Sequence, residues 1–222
     1  MLSLRDLLSR HSPLLLIDSS SSNIQVGLLR SDAAPVWTEA IDEAGTAVFA
    51  GADRVLSQAG VRLADVRAYA FCDGPGSVLG IRTAAVALRT WRVVHALPAY
   101  AYCSLRLVAA FQLQAGEPAP FAVIADARRD TWHRVAAAEN GELSPLHRTP
   151  GASVSGSLLT PQHFRSWAAL PAGTRQVPYS VRDLLAALET TPLFHETSEP
   201  DAFLHEEPVY QTWTPQVHRA PS

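Results

Sequence analysis

The sequence predicts an α/β protein of two small, closely apposed lobes, with mixed sheets flanked by helices and a reduced second lobe. Three observations predict this. Strand-like and helix-like segments alternate along the amino-terminal half, a glycine- and proline-bearing break at Ala115-Gly-Glu-Pro-Ala-Pro120 follows them, and beyond it the chain restarts as it began. The length of 222 residues exceeds the commonest single-domain size and is short for two large domains. The expected division is 1–115 and 116–222.

Leu14 to Asp18 is a short apolar run closed by Asp18 and the serines 19–22, and Ile24 to Leu29 is a second run rich in β-formers. A hairpin is predicted there, with a third strand over 34–41. Over 46–59 the apolar residues Val48, Ala52, Val55, Leu56 and Ala59 recur on one helix face, and Gly60 closes that helix. Val66 to Cys72 reads as a fourth strand. Asp73-Gly-Pro-Gly-Ser77 then supplies the residue types that permit a sharp turn from strand into helix, with Ser77 as the N-cap. A long alanine-rich helix is expected over 78–97, stopping at Pro98. Ile81, Ala84, Leu88 and Trp91 share one of its faces, while Arg82, Arg89 and Arg92 gather on another. A short strand over 99–102 and a helix over 104–114 complete the first lobe.

The second lobe opens with the apolar strand Phe121 to Asp126, a polar loop and a return strand from Trp132 to Ala138. The spacing from Asp126 to Trp132 equals that from Asp18 to Ile24, which suggests a duplicated hairpin. Beyond Pro145 the signals weaken. Helices are expected over 163–170 and 181–189, and an acidic, proline-punctuated extended segment over 191–208.

Composition narrows the function classes. Hydrophobic residues at 47% and charged residues at 18% describe a chain that folds. A formal net charge of -3 gives no basic footprint, so direct nucleic-acid binding is disfavoured. Cys72 and Cys103 fit neither a metal spacing nor a disulfide framework. Residues 1–10 carry no apolar targeting segment, and the apolar runs fall short of the roughly 20 residues of a membrane span. A soluble, cytoplasmic protein is expected.

Three pieces in order carry a resemblance: Leu14-Leu-Leu-Ile-Asp-Ser-Ser, Asp73-Gly-Pro-Gly-Ser-Val-Leu-Gly-Ile-Arg82 and Ala122-Val-Ile-Ala-Asp-Ala-Arg-Arg129. They resemble the TsaB (YeaZ) branch of the ASKHA superfamily, the actin, sugar kinase and Hsp70 group of two-lobed ATP-binding folds. The middle piece is the most specific, because the family similarly places Gly-Pro-Gly-Ser at the head of a long helix. The link Gly60-Val-Arg-Leu-Ala-Asp-Val-Arg67 and, more weakly, Pro208-Val-Tyr210 also resemble family segments. Two places depart from the pattern: Ala44-Gly45-Thr46 stands where the family has a His-Ser pair, and Val78-Leu79 where it has Phe-Thr.

The resemblance implies an ASKHA fold and a non-catalytic scaffold or activator subunit. Such a subunit binds a TsaD-like enzyme that makes the threonylcarbamoyladenosine of tRNA. It also implies a TsaE-like ATPase as a further partner, a homodimer in isolation, no cofactor of its own, and ATP or ADP with magnesium at the partner's site. The family docks through its first two long helices, which makes Phe49, Asp53, Arg82, Arg89 and Arg92 the expected partner-binding residues.

The residues leave other chemistry to weigh. Asp18, Ser19 and Ser20 with Gly74 and Gly76 are the expected vestigial cofactor site, since an ASKHA hairpin turn offers N–H groups and hydroxyls to phosphate and its Asp organises magnesium. The matching loop, Asp126-Ala-Arg-Arg-Asp130, lacks glycine, although Arg128 and Arg129 retain the chemistry to contact phosphate. The alternative is a solvated turn and arginines that bridge the lobes. Gly74-Pro-Gly76 either cradles an anion or only permits the turn. A protease reading pairs Ser77 with His95 or His133, against a plain capping serine. No His-x-x-x-His metal motif is present. Trp37, Trp91, Trp132, Trp167 and Trp213 do not space into a stacking platform, and most of them read as packing residues. Two rival functions stand beside the scaffold: a self-sufficient ASKHA-type ATP-dependent phosphotransferase, and a homodimeric orphan pseudoenzyme.

Overall fold

A computed structural model describes residues 1–203 of the chain. Two mixed sheets form the frame. The first has six strands in the order β11-β5-β4-β1-β2-β3, with β1 Leu14–Asp18, β2 Ile24–Leu29, β3 Val36–Ala40, β4 Ala68–Gly74, β5 Ala99–Cys103 and β11 His195–Thr197. The second runs β10-β9-β6-β7-β8, with β6 Phe121–Asp126, β7 Thr131–Ala137, β8 His147–Pro150, β9 Leu158–Pro161 and β10 Arg175–Val177.

The repeat goes further than a hairpin. In each sheet a leading strand (β1 or β6) pairs antiparallel with the next strand, which pairs antiparallel with a third. On its other side the leading strand pairs parallel with β4 or β9, which in turn pairs parallel with β5 or β10. Five strands of each sheet therefore share one topology.

Among the described residues five α-helices cover these sheets: α1 Leu4–Arg10, α2 Ala44–Ala59, α3 Val78–Val94, α4 Ser104–Gln114 and α5 Val181–Ala187. Helices α2 and α3 lie on one face of the first sheet, burying Val48, Val55, Ala84 and Leu88 against Leu15, Ile17, Tyr69 and Phe71. On the opposite face a single apolar cluster joins Leu14, Leu16 and Tyr102 of the first sheet to Val108 of α4, Leu184 of α5 and Val123, Val135 and Leu159 of the second. Helix α4 thus sits between the sheets and serves both. The outer face of the second sheet buries only Ala122, Ile124, Trp132 and Leu158, and loops rather than helices cover it.

Local chemistry accounts for several boundaries. Gly60 closes α2 at φ 65, a left-handed conformation that glycine takes at no steric cost. Ser77 caps α3 by accepting from Gly80 N, and α3 stops at Val94, three residues short of the expected end, with His95 as its C-cap. Helix α1 was not expected, yet Ser3 and Asp6 form a complete capping box at its start. The helix expected over 163–170 does not form: His163 has φ 66, and the segment is turn and coil.

The expected lobe division also differs from the packing. Strand β11, far beyond residue 116, pairs with β5 in the first sheet, and Leu2 bridges Phe194, so the carboxyl segment returns to the first lobe. The motif Pro208-Val-Tyr210 lies outside the described residues. His195 anchors the returning strand through Nε2, 3.4 Å from Asp73 Oδ2. That hydrogen bond to Asp73 holds the imidazolium above its ordinary value near 6.5, with partial burial working the other way. A raised histidine value adds stability below about pH 6.5, which is lost as pH rises through the raised value. Thermal melts across pH 6–9 should therefore show stability falling over that range, and His195→Gln should flatten that part of the profile.

Candidate functional site

The turn after β1 carries the expected phosphate site, Asp18 with its serines. Here it is closed from both sides. Asp18 is fully buried and accepts four hydrogen bonds: Tyr102 Oη donates to Oδ2, Tyr179 Oη to Oδ2 at 2.7 Å, Ser20 Oγ to Oδ1 at 2.7 Å and Ser20 N to Oδ1 at 3.0 Å. Tyr102 comes from β5 and Tyr179 from the loop after β10, so the carboxylate ties the two lobes together. Burial, then the neighbouring Asp18 charge, pushes both phenols well above their ordinary values, which keeps them as donors.

The serines are spent in the same way. Ser19 Oγ donates to Gly80 O at 2.8 Å, Ser21 Oγ to Asn23 O at 2.8 Å and Ser22 Oγ to His163 O at 3.2 Å, while Ser20 Oγ serves Asp18. Phosphate oxygens only accept hydrogen bonds, so a phosphate site needs free donors, and these four hydroxyl protons already have acceptors. The glycine turn fills the remaining space. Ser77 N donates to Ser20 O at 2.7 Å, and a Cβ on Gly76 or Gly80 would overlap the carbonyl oxygen of Ser20 or Ser19. Gly76 therefore serves a close approach of two backbones. Gly74 and Gly76, Asp18, Ser19 and Ser20 do come together as the sequence predicts, but they meet each other.

Neither histidine of the protease reading meets Ser77. The Ser77 hydroxyl accepts from Gly80 N, and His95 lies at the far end of the 17-residue helix α3, about 25 Å away at 1.5 Å per residue. His133 belongs to β7 in the second sheet. Among the described residues no group of three or more His, Cys, Asp or Glu is placed to hold a metal ion.

What the fold leaves open is the outer side of α2 and α3. Leu79, Arg82, Val86, Arg89 and Val93 are all exposed, Leu79 at 77% and Val93 at 87%. Their three- and four-residue spacing places them within about 80° of one helix surface, the spacing of a helix-packing seam in which apolar residues alternate with arginines. Phe49 of α2, 45% exposed, makes an edge contact with Trp91 of α3, ring centroids 5.9 Å apart, on a different side of α3 from this stripe. Asp53, one turn on, is exposed as well.

Two expectations about α3 change. Ala84, Ala85 and Ala87 are fully buried, so their small size lets the helix approach its own sheet rather than a partner. Arg92 is tied within the chain, donating from Nε to Leu97 O at 2.8 Å and from Nη1 to Ser198 O at 2.7 Å, whereas Arg82 and Arg89 remain exposed. Leu79, Val86 and Val93 were not singled out from the sequence, although their seven-residue interval is the signal that marks them.

Comparison with known proteins bears on the fold and on part of the sequence. Residues 47–149 match the family model described as TsaD, tRNA N6-adenosine threonylcarbamoyltransferase. The fold matches YeaZ from Pseudomonas aeruginosa with a TM-score of 0.59 at 20% identity, covering 79% of this chain and 89% of that one. It matches equally an uncharacterised protein from Pseudomonas aeruginosa with similarity to peptidase YEAZ, at a TM-score of 0.59 and 20% identity over 78% of this chain and 88% of that one. No curated protein matches the chain. The fold expected from the sequence is thus the one the structure shares with YeaZ. No helix among the described residues is long and apolar enough to cross a membrane.

Proposed function

We propose that this chain, with the YeaZ fold and a TsaD-matching segment, is a non-catalytic subunit that docks a TsaD-like enzyme and holds it active in threonylcarbamoyl transfer to tRNA adenosine. The observation that carries the reading is the exposed stripe Leu79-Arg82-Val86-Arg89-Val93 of α3. Exposed apolar side chains at packing-seam spacing on one helix are a surface that another helix covers. Arg82 and Arg89 within the seam ask for carboxylates opposite them. The partner's face is therefore apolar with acidic residues in register.

The consumed donors of the serine turn support the non-catalytic half of the reading: nucleotide and magnesium belong to the partner's site, and a TsaE-like ATPase acts there. Docking activates the enzyme only in so far as this chain binds its active arrangement more tightly than the inactive one. In isolation the same stripe pairs with a second copy of the chain.

Mixing the purified chain with the TsaD-like enzyme of the same genome should give a complex on size exclusion with light scattering. Val86→Glu, which puts a charge at the centre of the seam on an exposed position, should weaken it by at least about thirtyfold. Arg89→Glu should weaken it and respond to salt. Unchanged affinity in both variants contradicts the docking face.

A further inference from the structure

The loop between β6 and β7 is built unlike an idle hairpin turn. Arg128, Arg129 and Asp130 adopt φ of 63, 50 and 53, three consecutive left-handed residues none of which is glycine. Each such residue is costly, and a run of them persists only where other bonds enforce it. Those bonds are present. Asp126 Oδ1 accepts from Arg128 N, Thr131 Oγ1 donates to Arg128 O at 2.6 Å, and Arg148 Nη2 donates to Ala127 O at 2.9 Å. The same Asp126 holds the neighbouring segment, its Oδ2 accepting from Trp167 N at 2.6 Å and Ala168 N at 2.8 Å.

The product is a surface cleft of about 430 Å³ between the two segments, within the size range of ligand clefts. Trp167, 57% exposed, stands in it with two cations close to its ring: the guanidinium of Arg165 lies 3.7 Å from the centroid and that of Arg128 5.0 Å. Arg129, also exposed, lines the same cleft. Two carboxylates, Asp126 and Asp130, share the cleft, so the three guanidiniums exceed them by one charge. An exposed indole against two guanidiniums sets Trp167 apart from the tryptophans that serve packing.

We propose that this cleft binds an unpaired nucleotide of an RNA strand, the base stacking on the Trp167–arginine layers and the phosphate meeting Arg129. Nucleobases stack on indole rings and on guanidinium planes alike, and arginine supplies the phosphate contact in the same place. An acidic peptide would use the charges but has no need of an exposed indole, so RNA fits the pair of features better. The net charge of -3 limits the isolated chain to a local, weak contact, which suits a subunit that helps position a tRNA held chiefly by its partner. The inference deepens the proposed role in tRNA modification and rests on it.

The test is fluorescence anisotropy at low salt, with the full-length chain and a 5′-labelled single-stranded RNA heptamer, and unlabelled tRNA transcript, AMP and polyglutamate as competitors. The expected result is saturable binding displaced by tRNA. Trp167→Ala should weaken it about tenfold and Trp167→Phe much less. Arg129→Ala should lower the salt slope by about 0.7, as loss of one single-strand phosphate contact requires. Both side chains are exposed, and circular dichroism confirms that the variants fold. Binding that is absent, insensitive to Trp167→Ala, or matched in strength by AMP or polyglutamate overturns the proposal. The complex with the TsaD-like enzyme, docked on the opposite side of the first sheet, should form equally well with either variant, so failure here is distinct from failure of the docking reading.

Discussion

Replacing Asp18 by alanine should destabilise the protein by about 3–5 kcal/mol, a large part of the roughly 5–15 kcal/mol that holds a domain of this kind folded. The carboxylate has no exposed surface and accepts from two phenols, one hydroxyl and one backbone N–H. Removing it strands several buried donors at once, and each buried polar group left without a partner costs about 1–3 kcal/mol. Asp18→Asn keeps one acceptor oxygen, and its amide can donate to a rotated phenol, so it should cost less than the alanine. Tyr179→Phe removes one bond of the hub while leaving the carboxylate its other donors, and should cost about 1–2 kcal/mol. Urea midpoints of the three variants give the order directly. An Asp18 kept for magnesium chemistry alone would leave those midpoints unchanged.

Gly80→Ala should destabilise by about 2–3 kcal/mol although it lies inside a helix, where alanine is favoured over glycine by about 1 kcal/mol. The two effects oppose each other, and steric overlap decides the sign. A Cβ on Gly80 would meet the Ser19 carbonyl oxygen, a backbone atom fixed at the end of β1 that cannot swing aside like a side-chain tip. Gly76→Ala meets Ser20 O in the same way. Gly45, at the exposed start of α2 with open space around it, is the control: Gly45→Ala should stabilise slightly. If Gly80→Ala and Gly45→Ala shift the urea midpoint in the same direction, the close approach of the glycine turn to the serine turn is not what holds these glycines.

Much of this architecture is written in local patterns. Leu14 to Asp18 and Phe121 to Asp126 are apolar runs ending in Asp, and both become leading strands of their sheets because a buried central strand wants apolar side chains on both faces. Gly60 and Ser77 do what their chemistry predicts at helix ends. Where the reading from sequence departs, the deciding partner is distant in the chain. Residues 163–170 have a helix-compatible composition, but the backbone N–H groups of Trp167 and Ala168 go to Asp126, some 40 residues away, and a helix would take them back. Strand β11 has three residues and no pattern of its own; β5 and the His195–Asp73 pair define it.

The candidate site shows the same split. Asp18, the serines and the glycine turn were legible as a cluster, because their residue types are those that build tight turns. Whether they would face a ligand or one another depended on Tyr102 and Tyr179, 84 and 161 residues from Asp18, which nothing in the local sequence links to it. On α3 the arginines were visible, while the apolar half of the seam was hidden among alanines. Only burial separates the exposed Leu79, Val86 and Val93 from the interior Ala84, Ala85 and Leu88.

The central claim is that this chain works through another protein and not through its own closed cleft. The most direct measurement is threonylcarbamoyl transfer to a tRNA transcript by the TsaD-like enzyme, supplied with its threonylcarbamoyl donor, in the presence and absence of this chain, with the chain alone as a third reaction. The account predicts no transfer by the chain alone, stimulation of the enzyme by the chain, and loss of that stimulation with Val86→Glu. Transfer by the chain alone, or an enzyme indifferent to its presence, would contradict it.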